Sequence, residues 1–477
     1  MKRLIAIAGL FWATTAFSQT GYQISVTFKP FKNEYIYLGH YFGKQMPIID
    51  SVKLDANSQG VFKGNKKLQG GVYLVGYPNK SGFFEILIDK QQVFSVIADT
   101  ATIQRGPQFV NSPDNVLFIG YQQQMGKLGA EINTYRKQLA DAKTAKDSAA
   151  LNKKISDVDS LIFKYREDLI KNNPNNILTA LLTAMKEPIL PENLRTPANR
   201  EDSLNAYRYF KDRFWDGVNF WDGRLAYSSF FESKVDKYIN EVVVRHPDSL
   251  KREIDYMMSF ASINEEMTRL LLLKFVNRYL NQKYMWEDAV FVHLFEKYFA
   301  QKEYPWLTQQ GRKMITDRAY SLMANIMGTA SAEVELPDST GVMRSLYNDS
   351  SAYTVVMFWD PTCGHCKEVA PKLDSLYNAK WKAAGVKIFA IAKETDGDRN
   401  TWLKVIGELG LKGWTHVYYS KAADKLRIDA NIPGYSQLYD VQSFPTLYLL
   451  DKDKRIVAKK LTWEQTDEVL QVKMKGQ

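Results

Sequence analysis

The only cysteines in this 477-residue chain, Cys363 and Cys366, stand three residues apart. That spacing excludes a fold held together by a disulfide framework, because a bridge closing so small a loop removes little chain entropy. Stability must come from buried apolar cores. A chain of this length exceeds what one core ordinarily serves, so about three domains of ~150 residues are expected. Hydrophobic residues at 45% and charged residues at 24% are ordinary for a folded protein, and nothing reads as disordered or fibrous. A lone Cys-x-x-Cys pair points to redox chemistry.

The chain begins Met1-Lys2-Arg3, runs apolar from Leu4 to Trp12 and continues Ala13-Thr14-Thr15-Ala16-Phe17-Ser18. A basic start, a short apolar run and small residues before a cut after Ser18 predict a secretory signal peptide over residues 1–18. The run is shorter than the ~20 residues a membrane-spanning helix needs. No later segment approaches 18 uncharged apolar residues, so no integral membrane segment is expected in the mature protein. No Cys stands near the cut to carry a lipid. The expected location is the periplasm or cell envelope, where disulfides persist. The formal charge is +10, and loss of Lys2 and Arg3 leaves +8. The basic residues are interspersed with acidic ones, which predicts a solvated surface and no nucleic-acid partner.

Three patterns follow along the chain, predicting a multidomain protein. Residues 19–113 read as an N-terminal β-sandwich. Ile24, Val26 and Phe28 alternate with polar residues, and strand candidates follow at Tyr35–Leu38, Val61-Phe62, Val72–Val75, Phe83–Ile88 and Val93–Ile97. Residues 114–330 take a helical period and predict an all-α middle domain. Ser262-Ile263-Asn264-Glu265 has the form of a capping box, and Ala140–Asp159 suggests an exposed helical hairpin. The repeat Phe214-Trp215-Asp216-Gly217 / Phe220-Trp221-Asp222-Gly223 reads as aromatic anchoring of a loop, or as the lining of a peptide or glycan site. Residues 331–477 alternate β and α signals. Strands are predicted at Tyr353–Trp359, Val386–Ala392, Thr446–Leu450 and Ile456–Lys460. Helices are predicted at Cys363–Trp381, Thr401–Leu409 and after the capping box Thr462-Trp463-Glu464-Gln465.

The chemistry centres on Phe358-Trp359-Asp360-Pro361-Thr362-Cys363-Gly364-His365-Cys366. A strand ends at Trp359 and Cys363 opens a helix. Unpaired amides and the partial positive charge at a helix N-terminus stabilise a thiolate, so Cys363 is the expected exposed nucleophile. Cys366, one turn further in, is placed to resolve a mixed disulfide.

From about Ser331 onward the sequence resembles the thioredoxin-like domain of the TlpA/ResA type, with N-terminal β-rich and helical accessory domains like those of Bacteroidota envelope proteins. The residues that carry the resemblance are Phe358-Trp359, the Cys-x-x-Cys at a strand-to-helix junction, Pro371, and Phe444-Pro445-Thr446 before the last hairpin. It implies an α/β thioredoxin-like fold, a cis proline at Pro445 beside the disulfide, and a substrate groove of Trp359, Phe444 and Pro445. The backbone of Phe444 would pair with an extended substrate. Gly364-His365 matches the dipeptide of protein disulfide isomerases, whose potential lies ~90 mV above that of thioredoxin, or ~4 kcal/mol. Gly364 and His365 are therefore expected to tune the couple. Two positions depart from the family pattern. Met357 stands where many thioredoxins bury an acid, and Val369 where many relatives carry Glu. Glu368 would handle protons only if it turned inward; a solvated helix face is the expected alternative.

The resemblance implies an exported thiol–disulfide oxidoreductase that acts on cysteine-containing envelope proteins, with an unidentified electron donor or acceptor and no cofactor. Three other readings stand beside it. Cys363, His365 and Cys366 could bind a soft metal ion, though three ligands on one tight turn converge poorly. A peroxide-reducing antioxidant would place Thr or Ser three residues before its reactive Cys, where Asp360 stands. A binding or scaffold protein would use the accessory domains. His40, His246, His293 and His416 are scattered, and His293 reads as a satisfied core or groove histidine.

Overall fold

Alternation of apolar and polar residues makes the first strands bury one face each. The computed structural model describes residues 21–475, so the signal-peptide expectation for residues 1–18 lies outside the described residues. Two four-stranded sheets form the N-terminal region. One has the order β4 (Gln59–Gly64), β1 (Tyr22–Lys29), β7 (Val93–Asp99), β8 (Gln108–Val110). The other runs β3 (Ile48–Lys53), β2 (Tyr35–His40), β5 (Gly71–Gly76), β6 (Phe83–Ile88). Ile24, Val26 and Phe28 of β1 point inward and are buried. The Phe28 ring meets Phe84 of the other sheet edge-on, with centroids 5.5 Å apart, so the sheets pack face to face as a sandwich.

Helices take over at Pro113. Helices Pro113–Ala140 and Ala145–Asn172 form a long antiparallel hairpin, of which the predicted Ala140–Asp159 stretch is the turn and the start of the second arm. In the aromatic repeat Phe214, Trp215 and Phe220 are buried and pack edge-on against one another, whereas Trp221 is half exposed. Lys234 is buried beneath Phe214 and Trp215 and donates to the carbonyls of Ala184 and Lys186. This first copy of the repeat is thus a packing anchor. Helix Glu265–Leu280 starts later than the Ser262 box predicts. Asn264 accepts the Met267 amide at 3.1 Å, while Ser262 donates its hydroxyl backward to Ser259. Asn264 is the cap because its side chain reaches the third helical amide, which Ser262 stands too far upstream to meet. His293 is satisfied by Asp255 at 2.9 Å.

The chain divides into two compact units, one running up to Val243 and including Tyr256–Leu271, the other made of Val244–Asp255 and the chain from Leu272 onward. The second unit contains the α/β region. After a small hairpin, β9 (Glu335–Pro337) and β10 (Met343–Ser345), a five-stranded sheet forms. Its order is β13 (Thr415–Tyr419), β12 (Val386–Lys393), β11 (Tyr353–Trp359), β14 (Thr446–Asp451), β15 (Ile456–Lys459). Strands β11, β12 and β13 are parallel, β14 runs against them, and β15, antiparallel to β14, returns to their direction. Every residue of β11 is buried, because helices cover both faces of this central strand. Val355, Met357 and Trp359 join the core that holds Cys366 and Trp381, while Val356 and Phe358 join the one that holds Tyr439 and Tyr448. The last helix, Trp463–Lys475, carries the predicted capping box: Gln465 donates its amide to the Thr462 hydroxyl at 3.3 Å and accepts the Thr462 amide at 3.0 Å.

Candidate active site

The site forms where β11 ends and the chain turns into helix Gly364–Leu376. Asp360 makes that turn. Its Oδ1 accepts the Thr362 amide and hydroxyl, both at 2.7 Å, and its Oδ2 accepts the Thr395 hydroxyl at 2.5 Å. An Asx turn of this kind sets the direction in which the next residue leaves the sheet. Cys363 follows as the N-cap residue, and its carbonyl accepts the Lys367 amide. Its thiol is partly exposed at the positive end of the helix.

Cys366 lies one turn inside and is wholly buried. Burial pushes its thiol up to about 12, and the neighbouring Cys363 and Asp360 charge add to the rise while a backbone hydrogen bond at Asp360 opposes it. Alkylation by iodoacetamide near neutral pH is therefore expected to modify Cys363 and spare Cys366 in the folded protein. Equal labelling of both in peptide mass spectra would contradict this asymmetry.

The Phe444–Pro445 bond is cis. The Cys363 thiol donates toward the Phe444 carbonyl at 3.9 Å, so residues 81 apart in sequence meet at this sulfur. Pro445 also borders a cavity of about 430 Å3, with His365, Val369, Leu461 and Trp463. His365 is exposed on the first turn, its Nδ1 3.5 Å from Glu368 Oε2. Glu368 is itself exposed and points to solvent, so it does not turn inward toward Cys366. Gly364 has open space where a Cβ would stand.

Trp359 departs from expectation. Its expected place is the substrate groove, but it is wholly buried beneath the site in the core that holds Cys366. It ends the inward-facing set Val355, Met357 and Trp359, so its ring supports the active-site helix from below. Asp360 is a site residue that the sequence reading missed. The Asp-x-Thr spacing before the cysteine pair was the available signal, since it marks an Asx turn. Among the described residues no three His, Cys, Asp or Glu side chains converge as a metal site requires.

A five-stranded sheet whose central strand feeds a Cys-x-x-Cys helix, with the carbonyl that precedes Pro445 against the first sulfur, defines a thioredoxin-like domain. Residues 351–456 match the family model described as thioredoxin-like, and residues 162–324 match a domain of unknown function, DUF5106. The C-terminal region of the chain is similar to thioredoxin-like proteins of the TlpA/ResA type. Over 114 residues the chain is 32% identical to the thiol-disulfide oxidoreductase ResA of Bacillus cereus. That match takes in 24% of this chain and 57% of ResA, so the chain spans little more than half the length of this curated relative. A domain of a possible thiol-disulfide isomerase from Cytophaga hutchinsonii is 32% identical, covering 32% of this chain and 95% of that one, with a TM-score of 0.27. A thioredoxin-like protein from Bacteroides caccae is 19% identical, covering 60% and 98%, with a TM-score of 0.40.

Proposed function

We propose that the protein is an exported thiol–disulfide oxidoreductase that exchanges disulfides with cysteine-containing proteins of the cell envelope. The observation that carries this reading is the pairing of a part-exposed Cys363 at a helix N-cap, against the Phe444 carbonyl, with a buried Cys366 one turn inside. The Cys363 thiolate attacks a substrate disulfide, forming a mixed disulfide and releasing one substrate thiolate. Cys366 loses its proton and attacks the Cys363 sulfur, expelling the second substrate thiolate and closing the Cys363–Cys366 disulfide. Two electrons pass to the substrate, and a dithiol donor returns them. Phe444 and Pro445 shape the groove, and Gly364 leaves its rim clear.

The test is reduction of insulin by the full chain with dithiothreitol as donor. A rate well above dithiothreitol alone is expected, and no acceleration would sink the reading. Titration against glutathione buffers then places the couple. A potential near about −180 mV would set it with isomerases and oxidants, one near or below about −250 mV with reducing thioredoxins.

His365 is proposed to tune that potential from its exposed position beside the thiolate. His365→Pro is compatible with the first helical turn, where a missing amide costs little. It is expected to lower the potential by tens of millivolts, part of the ~90 mV that separates isomerase from thioredoxin. An unchanged titration midpoint would remove His365 from this role.

A further inference from the structure

The cavity beside His365 and Pro445 has a neighbour. It shares Lys460 and Leu461 with a second cavity of about 480 Å3, which is lined by Lys283, Tyr284 and Trp286. The Tyr284 and Trp286 rings lie parallel, with centroids 5.6 Å apart, and the Lys283 ammonium stands 5.5 Å from the Tyr284 ring.

This loop is held unusually firmly for a surface segment. The Glu287 carboxylate is buried and accepts the amides of Lys283 at 2.7 Å and Tyr284 at 3.1 Å. Asp288 forms a buried ion pair with Lys459 at the end of β15. Met285 packs against the core beneath the active-site helix. Tyr284 and Lys283 nevertheless remain exposed. Three independent anchors thus fix an aromatic pair and a cation at the rim of a cavity that shares Lys460 and Leu461 with the one beside His365 and Pro445. A surface held in advance loses little entropy when it binds.

The charge of the route is one-sided. Asp288 and Lys459 neutralise each other. Lys283, Lys372 and Lys460 remain along the two cavities, with Glu464 the opposing acid. Asp440, which pairs with Lys460, is also held by Arg318 at 2.7 Å, so it does not cancel the excess.

We propose that Lys283, Tyr284 and Trp286 form a specificity subsite that receives an acidic stretch of the extended, cysteine-bearing polypeptide whose disulfide lies at Cys363. The proposal rests on the oxidoreductase reading above. The loop belongs to the segment before the thioredoxin-like domain, so that segment takes part in choosing the substrate.

The test uses the full chain and two disulfide-bonded peptides, identical at their cysteines, one flanked by Glu and the other by Lys. The Glu-flanked peptide is expected to be reduced with kcat/KM higher by about fivefold or more at low ionic strength, expressed in KM and shrinking as salt is raised. In a Lys283→Ala, Trp286→Ala variant the ratio between the peptides is expected to fall toward one. A ratio near one in the natural protein overturns the subsite, as does a ratio that survives in the variant. Should the variant fail to fold, the natural protein's ratio and its salt dependence decide alone. If the natural protein reduces neither peptide nor glutathione disulfide, the oxidoreductase reading itself has failed.

Discussion

Cys363→Ser is expected to abolish dithiol-dependent insulin reduction, a loss of at least about a thousandfold, because a serine hydroxyl neither ionises nor exchanges at neutral pH. Cys366 cannot substitute for the lost sulfur. It is wholly buried, and with its thiol pushed up to about 12 only roughly one molecule in 10⁵ carries the thiolate at pH 7. Cys366→Ser is expected to fail differently. Its Cys363 still attacks, nothing resolves the product, and mixed disulfides accumulate as bands on non-reducing gels. Full activity in the Cys363 variant, or trapping through Cys366 alone, would reverse the assigned roles. The raised thiol also sets a pH sense. The folded value lies above the ordinary thiol range, so the stability this group contributes is intact below about pH 8.5 and is lost as pH rises through the folded value. Resolution quickens over the same window, since thiolate gains about tenfold per pH unit.

Asp288→Ala is expected to destabilise the second unit by about 3–5 kcal/mol, because it strands Lys459 as a buried, uncompensated cation. Both side chains are almost fully buried, and the Lys459 ammonium also donates to the Asn325 carbonyl and side-chain oxygen, each at 2.6 Å. Burial pushes Lys459 down and Asp288 up, and each partner's charge opposes the other's shift. The penalty of the single change is therefore mostly the exposed cost of one unpaired charge. Asp288→Leu with Lys459→Met is expected to recover most of the loss, leaving about 1–2 kcal/mol for the unpaired Asn325 groups. Thermal unfolding followed by tryptophan fluorescence should show the single variant's transition lowered by roughly 10 °C and the pair's much less. A single variant that melts with the natural protein would show the ion pair to be incidental.

Neighbours in sequence made much of this protein legible. Local alternation located β1, β2, β5, β6 and β7, and the reciprocal bonds of Thr462 and Gln465 match a box readable from four residues. Short elements with no period of their own escaped. Strands β3, β8, β9, β10 and β13 are defined by the partners they pair with. The Ser262 box failed for a related reason. Two caps compete within three residues, and the helix starts where Asn264 reaches an amide.

Sequence alone established that the chain has one redox-capable pair, that it sits at a strand-to-helix junction, and that its folding cannot rest on disulfides, because all three depend on spacing and residue type. Packing determined the rest. It made Cys366 a buried and weakly acidic thiol, put the Phe444 carbonyl against a sulfur 81 residues away, and turned Trp359 from a groove residue into a core one. It also paired Asp288 with Lys459, fixing the Lys283–Trp286 loop beside the site. Burial and long-range contact arise only when distant segments meet, and no local pattern encodes which segments those are.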